Sequence, residues 1–194
     1  MGRLVVGAVL LVLLASACGS EPTELSGFVR TPLPDVSGAL LPDAGNGGTD
    51  FVMRAPDGEI LVVYFGYTAC PDVCPTTLAD LRSALAELGD ERVTVAMATI
   101  DPGRDTDEIV TGYVQSFVPD AHGLRTDDDG ALRAAANAFG ADYDVTVTDE
   151  GDYEVIHTAH LYAIDDDGHV QVTWAFGTES EDIAEDLRIL LRTQ

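Results

Sequence analysis

Six consecutive apolar residues, Ile60 to Phe65, lead through Gly66-Tyr67-Thr68-Ala69 into Cys70-Pro71-Asp72-Val73-Cys74, after which Leu78, Leu81, Leu85 and Leu88 recur at helical spacing. An unbroken apolar run has no polar face to give to water, so it is expected as a central strand covered on both sides. The four leucines form one stripe of a helix that begins at Pro75, a residue suited to a first turn, and stops at Gly89. A core strand feeding directly into a helix is the opening of a parallel βα unit, and here two thiols occupy its junction.

The rest of the chain extends that unit. Residues 28–58 are rich in Pro, Gly and Asp, with a short strand expected at Phe51-Val52-Met53. Val93 to Ile100 reads as a second buried strand. Asp105 with Glu108 resembles a capping box opening a helix whose Ile109, Tyr113 and Phe117 share a face. Leu132, Ala135, Ala136 and Phe139 mark a further helix ended by Gly140. Val155 to Ile164 reads as one long strand, turned at Asp165–Gly168, with Val170, Val172, Trp174 and Phe176 alternating along its return partner. Thr178 with Glu181 is expected to cap a last helix carrying Ile183, Leu187, Leu190 and Leu191. Parallel βαβ units followed by a β-hairpin and a closing helix describe an α/β, thioredoxin-like fold: a central mixed sheet flanked by helices, with an N-terminal extension. One domain over residues 28–194 accommodates all of it.

Charge narrows the partners. Thirty-four acidic residues face ten basic ones in 194 residues, a net charge of −24, and every basic residue is an arginine. Such a chain does not track nucleic-acid phosphates and offers no polybasic patch to anionic lipid. Asp127-Asp128-Asp129-Gly130 and Asp165-Asp166-Asp167-Gly168 lack the alternating ligands and distal Glu of an EF-hand loop and read as turns.

The first residues read as an address. Arg3 is followed by an apolar run from Leu4 to Leu14 and then by Ala15-Ser16-Ala17-Cys18, the pattern of a secretory signal. A cysteine directly after small residues is similar to a bacterial lipobox. Residues 1–17 are thus expected as a signal peptide, Cys18 as the lipidation site, and residues 18–27 as a lipidated tether. The expected location is the extracytoplasmic face of the bacterial cell membrane, with the membrane engaged through the lipid anchor only. Cys70 and Cys74 are the two remaining cysteines, in a compartment where disulfides persist.

At the start of a helix, unpaired backbone N–H groups and the helix dipole favour thiolate, which is both nucleophile and soft metal ligand. Thioredoxin-like oxidoreductases separate their cysteines by two residues, whereas this chain has three. The extra residue lets both sulfurs converge on one ion, and the spacing alone leaves redox and metal roles open. Two thiolates suit Cu(I), and an imidazole completes a trigonal site that also tolerates Cu(II). A structural zinc site wants four ligands, and three good ones are at hand. A purely structural disulfide would close so short a loop that it removes little chain entropy. Against a peroxidase, Tyr67 stands three residues before Cys70, where a peroxiredoxin carries Thr.

Three motifs in order give a more specific reading. Gly66-Tyr67-Thr68 before Cys70-Pro71-Asp72-Val73-Cys74-Pro75, then Asp101-Pro102-Gly103-Arg104-Asp105-Thr106, then Tyr153 to Thr158 with Tyr162 following, together resemble the Sco (SenC/PrrC) copper-chaperone family. Where that family typically carries Asp before the histidine, this chain has Ile156. The resemblance implies Cys70 and Cys74 as thiolate ligands, which also form a redox disulfide, and His157 as the imidazole of one copper, Cu(I) or Cu(II), per chain. His157 and His160 lie an odd number of positions apart and point to opposite faces of a regular strand; the family match selects His157. Asp101 is a candidate for orienting the loop or tuning the site, beside its plainer reading as a turn former. His122 and His169 are expected at the surface.

The family is tied to building the binuclear copper site of cytochrome c oxidase. The implied partners are therefore the oxidase's subunit II and a copper donor protein, with no nucleic acid. The implied role is copper delivery or reduction of that subunit's cysteines, a metallochaperone more than an enzyme, with thiol–disulfide reductase activity open to the same residues. A metal-free oxidoreductase and a copper or redox sensor are the alternatives.

Overall fold

The computed structural model describes residues 24–148 and 151–193; the signal, Cys18 and most of the tether lie outside them. Among the described residues nine strands and four α-helices follow in the order β1 (Leu40–Asp43), β2 (Thr49–Val52), β3 (Ile60–Gly66), α1 (Val73–Leu88), β4 (Val93–Thr99), α2 (Asp107–Phe117), β5 (His122–Leu124), α3 (Asp129–Phe139), β6 (Tyr143–Val147), β7 (Tyr153–His157), β8 (Leu161–Ile164), β9 (Val170–Trp174) and α4 (Ser180–Leu191). Seven strands form one sheet in the order β2-β1-β5-β4-β3-β8-β9, with β3, β4 and β5 mutually parallel and the others antiparallel. β6 and β7 pair only with each other.

All seven residues of β3 are buried, as the apolar run requires. Phe65 meets Phe139 of α3 at 5.2 Å on one face. On the other face Tyr64 lies beside Cys74 of α1, so close that a Cβ added at Gly66 would stand 2.5 Å from the Tyr64 ring and 3.2 Å from the Cys74 sulfur. Glycine is thus required at the point where β3 ends. Gly89 closes α1 in the left-handed conformation with φ 64°, a backbone state that only glycine adopts without a Cβ penalty.

Several local expectations give way to different solutions. α1 begins at Val73, two residues before Pro75; proline fits there because first-turn N–H groups have no intrahelical partner anyway. The cap of α2 is Thr106, whose hydroxyl accepts from Ile109 N–H, while Asp105 is buried. Val110 and Val114 form the buried face of α2, and Ile109 is exposed. Glu179, not Thr178, precedes α4, without a side-chain cap bond. Phe176 lies beyond β9 and is exposed. The Asp127–Asp129 run includes the Asp128 cap of α3, and Asp165 accepts from Asp167 N–H and His169 N–H across its turn. His122, expected at the surface, stands on β5 half-buried, 2.7 Å from the buried Asp43 carboxylate; His169 is half-exposed beside Asp165.

The largest departure is in the last third. Residues 155–164 are not one strand: β7 pairs with β6, Thr158–His160 break the run, and β8 enters the main sheet beside β3. Strand alternation therefore does not run from His157 to His160 across the break, although the two histidines do point to different surroundings.

The N-terminal extension is pinned to the body. Phe28 exchanges backbone hydrogen bonds of 3.0 Å with Thr173 of β9, and Asp35 bridges His169. Arg30 places its guanidinium at the end of α3 and donates to Phe139 O at 2.6 Å, a cation at the negative end of a helix.

Candidate metal centre

Cys70 sits in the loop between β3 and α1, and Cys74 in the first turn of α1. The helix opens at Asp72 without a side-chain cap, so its orphan N–H groups seek another acceptor. Cys70 supplies one: its sulfur accepts from Cys74 N–H at 3.2 Å. Burial alone would push the Cys70 thiol up, but the N–H groups of Cys74 and Asp72, with side-chain bonds from Cys74 and Tyr67, hold it below the ordinary cysteine value. Burial pushes the Cys74 thiol up to about 12. The two thiols also differ in access, Cys70 being 9% exposed and Cys74 0%. Iodoacetamide is therefore expected to label Cys70 well before Cys74 in the reduced apo protein, read by peptide mass spectrometry. Equal rates, or Cys74 first, would contradict this asymmetry.

His157 ends β7 and points its Nε2 at the Cys74 sulfur, 3.7 Å away. Burial lowers its pKa, against bonds to the Thr158 and Phe65 backbone that raise it. Nδ1 lies 3.3 Å from Thr158 O; with the proton on Nδ1 donated to that carbonyl, Nε2 presents a lone pair to the sulfurs. The ligand atoms of Cys70, Cys74 and His157 all lie within 4.8 Å of one another, the one such metal-competent group of Cys, His and carboxylate side chains among the described residues. Three donors held about 2.0–2.3 Å from a shared ion stand roughly 3.5–4 Å apart, so the set fits a three-coordinate ion with little movement. The thiolate–thiolate–imidazole chemistry is that of a soft or borderline cation. His160 is elsewhere, its ring packed on Phe28 at 5.6 Å and Tyr162 at 6.1 Å.

The central motif, Asp101 to Thr106, divides its labour. Thr106 caps α2. The Asp105 carboxylate is 1% exposed and accepts from Thr68 N–H at 3.1 Å, from the Thr68 hydroxyl at 2.5 Å and from the Thr99 hydroxyl at 2.5 Å, tying the cysteine loop to the end of β4. Asp101 touches neither sulfur; it accepts from Arg104 Nε. Arg104 in turn lies over the Tyr153 ring at 4.1 Å and, more distantly, over Tyr67 at 5.8 Å. On the same face of the β6–β7 hairpin, from its other strand, Tyr143 carries Arg133 stacked at 4.4 Å, and Tyr143 is the register partner of His157. Two arginine–tyrosine stacks thus fix the element that carries the histidine. None of these contacts was expected from spacing; the repeated Arg and Tyr near the motifs were the available signal.

A cation–π contact contributes about 0.5–2 kcal/mol. Arg104→Ala should therefore speed amide exchange in β6 and β7 roughly 2- to 30-fold while leaving β3 and β4 unchanged. Uniform acceleration would mean a general loss of stability instead.

Tyr67, Cys70, Pro71, Val155, His157 and Phe176 line a groove of about 420 Å³ at this centre. Ile156 on its rim is 74% exposed and Phe176 47%. Among the described residues no helix is long and apolar enough to cross a membrane.

The family model described as SCO1/SenC matches residues 45–192. A protein of Stutzerimonas stutzeri named for copper binding is 33% identical over 117 residues, which is 59% of this chain and 57% of that protein, so the match spans little more than half of that relative's length. The solution structure of apo Sco1 from Thermus thermophilus superimposes with a TM-score of 0.75 at 29% identity, covering 87% of this chain and 98% of that one. ScoI of Bradyrhizobium japonicum, solved with copper bound, gives 0.65 at 30% identity, covering 77% and 95%. The mixed sheet with flanking helices is accordingly the thioredoxin-like fold of these proteins.

Proposed function

The chain belongs to the SCO1/SenC family, and from that premise we propose that it is a copper chaperone and thiol-redox assembly factor. It binds one copper as cargo through Cys70, Cys74 and His157 and serves the binuclear copper site of cytochrome c oxidase subunit II. The observation that carries this reading is the convergence of the three donor atoms within 4.8 Å at a groove open to a partner. Copper-bound ScoI at 30% identity supports the choice of ion. The oxidase role rests on family membership, and the extracytoplasmic, lipid-anchored location on the signal pattern ending at Cys18.

Copper brings affinity for soft ligands and access to two oxidation states. The chain's own residues do the rest. The Cys74 N–H bond to Cys70 keeps the more exposed sulfur ready to exchange ligands, and the Thr158 carbonyl keeps the proton of His157 on Nδ1. Tyr64 and Tyr67 wall the imidazole, with ring centroids 6.2 and 5.8 Å from it.

The same asymmetry favours thiol reduction as a second reading. The Cys70 thiolate attacks a partner disulfide, forming a mixed disulfide and releasing one partner thiolate. Cys74, losing its proton to solvent, then displaces the second partner thiolate, leaving Cys70–Cys74 oxidised and the partner reduced by two electrons. An extracytoplasmic dithiol reductant must restore the pair.

Copper titration of the reduced protein separates these readings. We expect one equivalent per chain. His157→Ala should weaken binding by about 100-fold or more, beyond the loss typical of removing a supporting residue of a metal site, and should alter the Cu(II)–thiolate absorption. His160→Ala should change neither. The opposite ranking would refute the ligand set, and turnover of protein disulfides in copper-free protein with no copper uptake would favour the reductase.

A further inference from the structure

The strap formed by the N-terminal extension and the rim of the groove concern the same end of the molecule. Phe28 and Asp35 bridge Thr173 and His169 of an antiparallel neighbour, so going back from Asp35 to Phe28 moves toward the sheet end where Trp174, Leu161 and Tyr64 are paired and where Gly66 leads into the cysteine loop. There the wholly buried Asp186 carboxylate accepts from Ser26 N–H at 2.8 Å, Gly27 N–H at 2.9 Å and the Trp174 indole at 2.8 Å. Gly27 is seated so closely that a Cβ would lie 2.4 Å from Val172 Cγ2 and 2.9 Å from Thr173 O. The Phe28 ring meets His160, three residues from His157. Ser26 and Gly27 are therefore seated at the end that carries the site, and the exposed apolar Ile156 and Phe176 are at that end too.

We propose that the strap turns the metal-site end of the domain toward the membrane, and that the apolar rim is the contact surface for a protein partner held in that same membrane. This deepens the proposed function and rests on lipidation at Cys18. From Cys18 to Glu24 the chain spans at most about 20 Å when fully extended. A domain of this size is roughly 40 Å across, so the opposite pole, at the Asp165–Gly168 turn, does not reach the bilayer while the strap is docked. The exposed carboxylates of Asp72, Asp142 and Asp144 beside the groove and its neighbouring hollow oppose burial of the rim among anionic headgroups. The same charges complement a partner that flanks an apolar contact with Lys or Arg.

The test is nuclear relaxation on the lipidated chain in nanodiscs containing a gadolinium-chelating headgroup lipid. Signals of Ile156, Ala159 and Phe176 should broaden several-fold more than those of Asp166 to Gly168; a flat or reversed gradient overturns the orientation. Gly27→Val, or the milder Asp186→Asn, should level the gradient, and a gradient unchanged in either folded variant overturns the role of the strap. An arginine-flanked leucine peptide anchored in the same disc should shift the Ile156 and Phe176 signals, and the absence of any shift overturns the partner assignment. Protection of those residues from a water-soluble relaxation agent on bare discs makes lipid the occupant and overturns it as well. A chain that carries no lipid when isolated from cells refutes the anchor alone; the orientation is then read on a copper-free chain beginning at Cys18, with Cys70→Ala and Cys74→Ala, coupled through Cys18 to a maleimide lipid.

Discussion

Replacing either Cys70 or Cys74 by alanine is expected to abolish tight copper binding while leaving the domain folded. With one sulfur gone, a single thiolate and one imidazole remain, and neither residual pair holds Cu(I) as a three-coordinate site. Loss of a supporting residue typically costs 10- to 100-fold in metal affinity, so loss of a ligand should exceed about 100-fold. The cost in stability is far smaller: Cys74 is fully buried, and removing one buried sulfur is worth on the order of 1 kcal/mol. The measurement is competition against a Cu(I) chelator, with thermal unfolding run alongside. Near-wild-type affinity in both variants would remove the thiolates from the site.

The second large effect is expected at Asp105, which touches no ligand atom. Asp105→Ala strands the Thr68 N–H and the Thr99 hydroxyl in a buried place, each costing about 1–3 kcal/mol. A total of roughly 3 kcal/mol lowers Tm by about 6–12 °C in a domain of this length. The loop that presents Cys70 is tied to β4 through this carboxylate, so copper binding should weaken in the folded variant as well. Asp105→Asn retains one acceptor for two of the donors and can donate to the Thr68 hydroxyl, so it should recover much of both losses. An alanine variant with wild-type Tm would show that the tie carries no load.

The strongest elements were readable where local pattern and tertiary environment agree. The apolar run of β3 and the Leu132–Phe139 face of α3 are buried where the pattern puts them, and the leucine stripe of α1 is buried at Leu78 and Leu81 and half-buried at Leu85 and Leu88. β1, β5 and β6 were not foreseen. β1 lies in a stretch rich in Pro, Gly and Asp, β5 is three residues long, and β5 pairs with β1 through the single register pair Asp43 and Leu124. Strands this short are set by their neighbours rather than by their own composition. The run from Val155 to Ile164 failed for a different reason. It remains extended over most of its length, but it changes partner from β6 to β3, and alternation along one segment carries no record of which strand lies beside it.

The site shows the same division. The motifs pointed to Cys70, Cys74 and His157, the three residues whose donor atoms converge. What holds them there was less visible. Asp101 contacts Arg104 rather than a sulfur, and Asp105 does not open the helix that its spacing suggested. The contacts of Asp105 with Thr68 and of Arg104 with Tyr153 join segments far apart in the chain, and a motif records such residues without saying which neighbours each will hold.

Trp174 is the chain's one tryptophan, and its indole N–H is held by the carboxylate that also holds Ser26 and Gly27. Its fluorescence is therefore a built-in gauge of how the N-terminal segment is seated. A docked segment keeps the indole dry and its emission blue-shifted, whereas release removes its neighbours, admits water and moves the emission to the red. The β6–β7 hairpin carries Tyr143 and Tyr153 but no tryptophan, so motion of the histidine-bearing element passes without that signal. Tryptophan emission during denaturation follows the seam between the N-terminal segment, β9 and α4, and tyrosine-based or amide probes follow the metal centre.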